Sequence, residues 1–354
     1  MLVSSPDIPR PGRSRVVLLR LTVVLCVDRV GDTANGQRFG NLALRLTEMY
    51  QVEAWMGRVA TFYFSSVQTW RRPFRESLPP MRAARQIALL SGDIEFAMVN
   101  ANLTCVLELD LVPIPELLDT IRDYQETMKK HGQTVNLQML APSLTILLSC
   151  AGDMNGDVTV LEEANDLYKD EVDASSLVAQ WLHYARMLVA FLFGNIDQSS
   201  HSAELCSSLI CHPAGSADIV MPCMVDGLLA LEKCRRQWWN VPALVLRAHR
   251  RIRQLRRFAA SSPSNFLGKL HLVQAELASV LGQRDRAHMK YTSSIALFRD
   301  AGFNLQLGMA NELAGKHFLR LKDDRAEQFL NEADRVYRVW GGIAKADHLL
   351  TQVG

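Results

Sequence analysis

Apolar residues recur at helical spacing along nearly the whole chain, in pairs of segments joined by short polar turns. In residues 36–50, for example, Phe39, Leu42 or Ala43, Leu46 and Met49 share one stripe, which is typical of an amphipathic helix. No stretch alternates apolar and polar residues as a half-buried strand does. The pattern therefore predicts an all-α fold.

The apolar segments form successive helical hairpins. After a lone second helix in 36–50, the pattern predicts pairs at 55–70 with 74–90, 94–109 with 116–131, 137–150 with 158–168, 177–193 with 196–210, and 219–234 with 241–258. Two closing pairs occupy 266–341. The second helices begin about forty residues apart, within the range of helical repeats longer than the tetratricopeptide unit.

The last two helix pairs are two copies of one repeat unit. Six positions of the first copy recur 39 residues later: Ala287, Tyr291, Ser294, Phe298, Ala301 and Gly302 correspond to Ala326, Leu330, Ala333, Tyr337, Trp340 and Gly341. A hairpin of this kind buries its apolar face only by stacking on neighbours. We therefore predict a right-handed α-solenoid of antiparallel helix pairs over residues 36–354. First helices should line an extended concave surface, and residues 1–35 form an irregular or disordered leader.

Composition narrows the class of protein. The chain is 48% hydrophobic and 21% charged, which provides a continuous core and excludes a disordered chain. A net charge of +2 gives the whole molecule no attraction to polyanions. The seven cysteines lie mostly within apolar helical patterns and favour reduced core residues in a cytoplasmic protein. The apolar run 16–27 contains Arg20 and is too short for a membrane span, so no membrane partner is expected.

Three local motifs imitate ligand sites without meeting their requirements. The loop from Asp153 resembles a calcium loop, but Val158 and Ala164 stand where glycine and a bidentate acid are needed. His201, Cys206, Cys211 and His212 have the wrong spacing for structural zinc. Gly315-Lys316 sits in a helical pattern, unlike a phosphate loop. We expect no metal and no cofactor.

One basic helix is a candidate docking surface. Arginine's planar fork suits carboxylate or phosphate partners, although an arginine-rich face often pairs only with acids on neighbouring helices. Both interpretations remain open for Arg247, Arg250, Arg251, Arg253, Arg256 and Arg257. No catalytic motif such as a nucleophile elbow, HExxH or a glycine-rich nucleotide loop is present, so no catalytic residue is predicted.

Several stretches resemble a known family. They are NFLGKLHLVQAE (265–276), VLG (280–282), MANELAGKHFL (309–319), FLNEADRVYRVWGGIAKADHL (329–349), RFGNLAL (38–44) and GDIEFA (92–97). Together they look like the tetratricopeptide-like region of large multidomain signalling proteins. In that family the region follows kinase-like and AAA-type ATPase domains and precedes a GAF sensor and a histidine kinase.

The resemblance implies a cytoplasmic, non-catalytic scaffold for protein–protein or interdomain contacts in signal transduction, and a fragment or remnant of a larger sensor. The alternative is a nucleic-acid-associated repeat protein that uses the basic helix. An enzyme is the least favoured interpretation, because it requires catalytic groups from different repeats to converge. Oligomeric state is not indicated by the sequence.

Overall fold

The computed structural model describes residues 32–50, 53–152, 177–206, 219–237 and 241–353, and within these ranges the secondary structure is helical throughout. The predicted all-α fold is confirmed. The α-helices of these ranges, numbered in chain order, are α1 Thr33–Met49, α2 Glu53–Phe62, α3 Phe74–Leu90, α4 Ile94–Glu108, α5 Ile114–Lys130, α6 Thr134–Ala151, α7 Leu177–Leu192, α8 Ile196–Leu205, α9 Val220–Arg236, α10 Val241–Ser261, α11 Pro263–Val280, α12 Arg284–Ala301, α13 Asn304–Arg320, α14 Arg325–Trp340 and α15 Ile343–Val353.

These helices form the predicted hairpins. First helices α2, α4, α7, α9, α11 and α13 are each followed by a second helix, which is α3, α5, α8, α10, α12 or α14. The predicted partner of α6, residues 158–168, lies outside the described residues. The leading second helix, α1, begins at Thr33, where the Asp32 carboxylate accepts a hydrogen bond from the Asn35 amide at 3.0 Å. Helix therefore begins slightly before the expected boundary at residue 36.

The two copies of the unit superimpose in packing as well as in sequence. Gly302 and Gly341 each end a second helix at positive φ, 77° and 94°, which glycine adopts without steric cost. Phe298 packs against the backbone at Gly268, and its counterpart Tyr337 packs against Gly308. The similar sequences AELA (275–278) and NELA (311–314) of the two first helices are not structurally equivalent, however. Glu276 bonds Tyr291, whose counterpart is Leu330, whereas Glu312 bonds Tyr337.

The first helices are buried on nearly every side. All residues from 222 to 231 of α9 and from 305 to 312 of α13 are buried, which covers more than two turns of each helix. A stretch that is buried on all sides lies inside the protein, even though these two contain polar residues such as Asp226 and Glu312. The expectation of an open concave surface lined by first helices is therefore wrong: their inner faces meet one another and fill the centre of the array.

Contacts between distant hairpins close the array on itself. The Trp340 indole donates to the Leu109 carbonyl at 3.2 Å, and the Asn304 amide donates to the Asp110 carbonyl at 2.9 Å. The Asn265 side-chain amide donates to the carbonyls of Thr69 and Arg72, 2.7 and 2.8 Å away. One hydrophobic cluster accordingly extends from residue 63 to residue 349.

Among the described residues, one helix is long and apolar enough to cross a membrane. Helix α6 has a mean hydropathy of 1.3, and 67% of this stretch is buried inside the protein. Its apolar surface is covered by α4, α5, α7 and α15. The hydrophobicity of α6 is therefore explained by its central position in the array.

The predicted core cysteines are confirmed where the structure describes them. Cys105, Cys150, Cys206, Cys223 and Cys234 are buried free thiols. Burial raises the pKa of Cys150 and of Cys206 to about 12, which leaves both thiols protonated and unreactive at neutral pH.

Candidate functional site

Helix α10 carries the predicted docking surface. Its buried stripe comprises Leu244, Ala248, Ile252, Leu255 and Ala259, at the three- to four-residue spacing of an amphipathic helix. The helix contains no Asp or Glu, so no arginine on it can pair with an acid one turn away. Each arginine either reaches a neighbouring helix or faces solvent.

Two of the six arginines stabilise the fold by pairing with a buried carboxylate. Asp226, a fully buried residue of α9, accepts hydrogen bonds from Nε of Arg247 at 3.1 Å and from Nε of Arg251 at 2.7 Å. Nη2 of Arg247 bonds the second carboxylate oxygen. A buried carboxylate requires such partners, because leaving it unpaired costs several kcal/mol, about 3–5. For these two residues the structural interpretation of the basic helix applies.

The other four arginines form an exposed group, here called the arginine face: Arg250, Arg253, Arg256 and Arg257. None of them has a hydrogen bond or ion pair within the described part of the chain. The helical rise places the first and last about 10 Å apart. Exposed Leu246, with 52% of its surface accessible, lies one turn before Arg250 and adds an apolar contact point.

Arginines on other outer helices behave differently. On α14, Arg335 pairs with Glu332 at 2.8 Å and Arg338 pairs with Asp334 at 3.1 Å. On α5, Arg122 pairs with Asp119 at 2.6 Å. The arginine face thus concentrates unneutralised charge on a molecule whose outer helices otherwise pair many of theirs.

The remaining sequence motifs are dispersed by the fold. His201 is exposed, while Cys206 is buried on the opposite side of α8. Cys211, His212 and the loop from Asp153 lie outside the described residues. Lys316 sits mid-helix in α13, where its ammonium bonds Glu312 at 2.8 Å and Gln352 at 2.9 Å. Within the described ranges no group of three metal-ligating side chains is assembled.

A cavity that the sequence analysis did not predict lies between α7, α9, α13 and α15. Its volume is about 180 Å³, and it is partly open to solvent. The apolar part of its wall comes from the turn between α7 and α8 and from α13, through Phe191, Leu192, Ile196, Met309 and Leu313. We call it the α9–α13 cavity.

Charged side chains line the rest of the cavity. Glu232 and Arg236 come from α9, and Glu312, Lys316 and Arg320 come from α13. Arg236 bonds Glu232 at 3.2 Å and Lys316 bonds Glu312 at 2.8 Å. Arg320 makes no hydrogen bond or ion pair with the described residues.

Both carboxylates of the cavity are shared with further cations. Glu232 also lies 3.3 Å from Arg235, and Glu312 also bonds the ammonium of Lys345 at 3.0 Å. Desolvation lowers the pKa of Arg320 and the neighbouring Arg235 adds to this effect, whereas Glu276 and Glu232 oppose it. Among the residues that line the cavity, three cations face two carboxylates.

A second buried polar cluster lies where the array closes. Gln306 donates to the Asp110 carboxylate, whose other oxygen, Oδ1, is buried without a partner. Burial raises the pKa of Asp110 to about 6, against the lowering effects of Lys269 and Gln306. Burial likewise lowers the pKa of Lys269 to about 8. Neither residue lines the α9–α13 cavity. The contact of Asp110 with Gln306 joins distant hairpins, whereas the Lys269 ammonium bonds the Asn265 carbonyl of its own helix at 3.0 Å.

The cavity had no signal in the sequence, and the pairing of Arg247 and Arg251 had only a weak one. Asp226 lies inside an otherwise apolar stretch of α9, and its partners Arg247 and Arg251 lie on the next helix, α10. The cavity joins helices that are remote in the chain and meet only because the array closes. An unpaired acid in an apolar helix was the one usable clue, since such a group needs a nearby cation.

Comparison with known proteins does not assign the chain to a family. No protein-family model matches the chain, and no curated protein matches it. Among solved structures, one that it is similar to is described as a "Circular tandem repeat protein with novel repeat topology and enhanced subunit contact surfaces". The match is 15% identical, covers 96% of this chain and 88% of that one, and has a TM-score of 0.24. The chain is thus a helical-repeat protein by its own structure, with no relative that identifies it.

Proposed function

We propose that this protein is a non-catalytic helical-repeat scaffold that holds an acidic segment of another protein, or of a neighbouring domain, on the arginine face. The observation that carries the proposal is the set of four exposed, unpaired guanidinium groups on one side of α10. Guanidinium groups bind carboxylates in a bidentate manner, and charge complementarity steers such encounters. Because first helices fill the centre, docking uses the outer helices.

A role in signal transduction and an origin in a larger sensor kinase rest on the resemblance to the tetratricopeptide-like region alone. In such an arrangement the array spaces catalytic domains and contacts them through its outer surface. Turnover of ATP by the purified chain would contradict the non-catalytic part of this proposal.

A protein partner suits the surface better than a nucleic acid. Proteins that follow a phosphate backbone use an extended basic groove, whereas the arginine face covers about 10 Å of one helix. The net charge of the chain is only +2, which gives the whole molecule no attraction to an extended polyanion. Exposed Leu246 adds the apolar contact that peptide recognition uses.

The test compares a fluorescent peptide of alternating Glu and Leu with a fluorescent single-stranded oligonucleotide by anisotropy. We expect the peptide to bind, and Arg250→Glu/Arg253→Glu to weaken that binding about tenfold or more. The matched control is Arg284→Glu/Arg286→Glu, which makes the same charge change at exposed positions of α12.

Equal losses in the two double variants, or no peptide binding, would overturn the proposal. Tighter binding of the oligonucleotide that depends on Arg250 and Arg253 and weakens steeply with salt would instead establish the nucleic-acid alternative.

A further inference from the structure

The α9–α13 cavity has the charge and shape of a binding site, and it lies apart from the arginine face. Apolar residues and charged residues line different parts of this cavity. Leu192, Ile196 and Leu313 contribute hydrocarbon, while Arg236, Lys316 and Arg320 contribute cations. Ligand sites in proteins combine apolar walls with a few directed polar groups in this way.

The charges of the cavity do not balance internally. Three lining cations face two lining carboxylates, Glu232 and Glu312, and each carboxylate also serves a further cation outside the lining, Arg235 or Lys345. Arg320 makes no ion pair with the described residues, although the buried Glu276, which pairs with Arg235 at 2.6 Å, acts on it electrostatically. A site with surplus positive charge is stabilised when an anion enters it.

The cavity volume limits the occupant to a small molecule. An engineered protein cavity of about 150 Å³ admits benzene, so a space of about 180 Å³ holds a molecule of that size with one small polar group. A peptide or a nucleotide exceeds it. The apolar wall disfavours a bare inorganic ion, because such an ion gains nothing from hydrocarbon contact.

We propose that the α9–α13 cavity binds a small organic anion, with a carboxylate or phosphate group held by Arg320 and Arg236 and a short apolar portion against Leu192, Ile196 and Leu313. The ligand touches α9 and α13 together with the turn after α7, and Gln352 of α15 closes one side. Occupancy therefore stabilises the packing of α9, α13 and α15 around the end of α7.

The experiment is isothermal titration of the full chain with benzoate, phenyl phosphate, inorganic phosphate and benzyl alcohol, at two salt concentrations. We expect benzoate or phenyl phosphate to bind and to raise Tm, and the tighter of the two identifies the head group. Arg320→Gln is expected to weaken that binding about tenfold, as loss of a charged hydrogen-bond donor does.

Two variants provide controls. Arg236→Gln tests the second cation independently, and Arg338→Gln, at an exposed pair on α14, should leave binding unchanged. The proposal is overturned if neither organic anion binds in the millimolar range, or if Arg320→Gln and Arg236→Gln both bind like the unaltered chain. It is equally overturned if inorganic phosphate binds as tightly as phenyl phosphate, or benzyl alcohol as tightly as benzoate.

Discussion

Lys345 is completely buried, yet its ammonium has hydrogen-bond acceptors on two neighbouring helices. It donates to the Leu192 carbonyl at 2.5 Å and to the Glu312 carboxylate at 3.0 Å. The Tyr337 hydroxyl donates to the same carboxylate at 2.9 Å. This cluster links α7, α13, α14 and α15, so an ion pair takes the place of apolar packing at a junction of four helices.

Removing one charge of this pair should be costly. Glu312→Gln keeps the shape and an acceptor for Tyr337, but it leaves the Lys345 ammonium without its counter-ion. We expect the variant to lose about 3 kcal/mol of unfolding free energy in urea denaturation. Glu312→Gln/Lys345→Met, which removes both charges, should recover about 2 kcal/mol of this. Additive losses would show that the two residues are not coupled.

The pH dependence of that loss provides its control. Burial raises the pKa of Glu312, but Lys345 and Lys316 outweigh it and hold the pKa at about 2, below the ordinary value of 4.5. A depressed carboxyl pKa contributes stability that is complete above about pH 4.5 and is lost as the pH falls towards 2. The difference between the unaltered chain and Glu312→Gln should therefore narrow below pH 4.5. A difference that stays constant would exclude the charge as its cause.

At the scale of single elements, the sequence was a good guide because helix signals are local. Apolar stripes placed most hairpin boundaries within a few residues of those observed. The helices expected at 74–90 and 116–131 end just before Gly92 and Gly132, which both adopt positive φ. The division of the arginines was not accessible in this way. Asp226 lies 21 residues before Arg247, and only the packing of α9 on α10 brings them together.

The two helices of the last hairpin approach each other closely where Tyr337 packs on Gly308. A Cβ at Gly308 would lie 2.4 Å from Cε1 of Tyr337, whose ring is buried and whose hydroxyl is bonded. Mid-helix Gly→Ala normally gains up to about 1 kcal/mol, but here overpacking of about 1–3 kcal/mol should outweigh it. We expect Gly308→Ala to lower the urea midpoint. Gly308→Ala/Tyr337→Leu should be less destabilised than the sum of its single variants, and a stabilised Gly308→Ala would contradict the close packing.

At the scale of the whole molecule, closure is the feature that the sequence did not predict. Each hairpin resembles a unit of an open solenoid, in which contacts are made only between neighbours. Here residues as far apart as Leu109 and Trp340 are bonded, and inner faces of first helices are apolar enough to pack on one another. Periodicity describes neighbours in the chain and contains no information on how far the stack curves.

Closure changes how the chain should unfold. An open repeat array unfolds first at its ends. In a closed array, contacts between the first and the later hairpins prevent the first hairpins from unfolding independently. Asn265 of α11 makes the clearest contact of this kind. Its side-chain amide donates to the Thr69 and Arg72 carbonyls, and its oxygen accepts a hydrogen bond from the Phe74 amide at 3.1 Å. We expect amides of α3 and α13 to share one opening free energy in native-state hydrogen exchange.

Asn265→Ala should break that equality. The variant leaves three backbone groups between α2 and α3 without partners, each of which costs about 1–3 kcal/mol when buried. Exchange in α3 should then become faster than exchange in α13, because the first hairpin opens without the rest. Asn195→Ala is the matched control, since it removes only the local cap of α8 and should leave α3 and α13 equal. Faster exchange of α3 in the unaltered chain would show that the first hairpin is not held by closure, and the stabilising role of the long-range contacts would have to be abandoned.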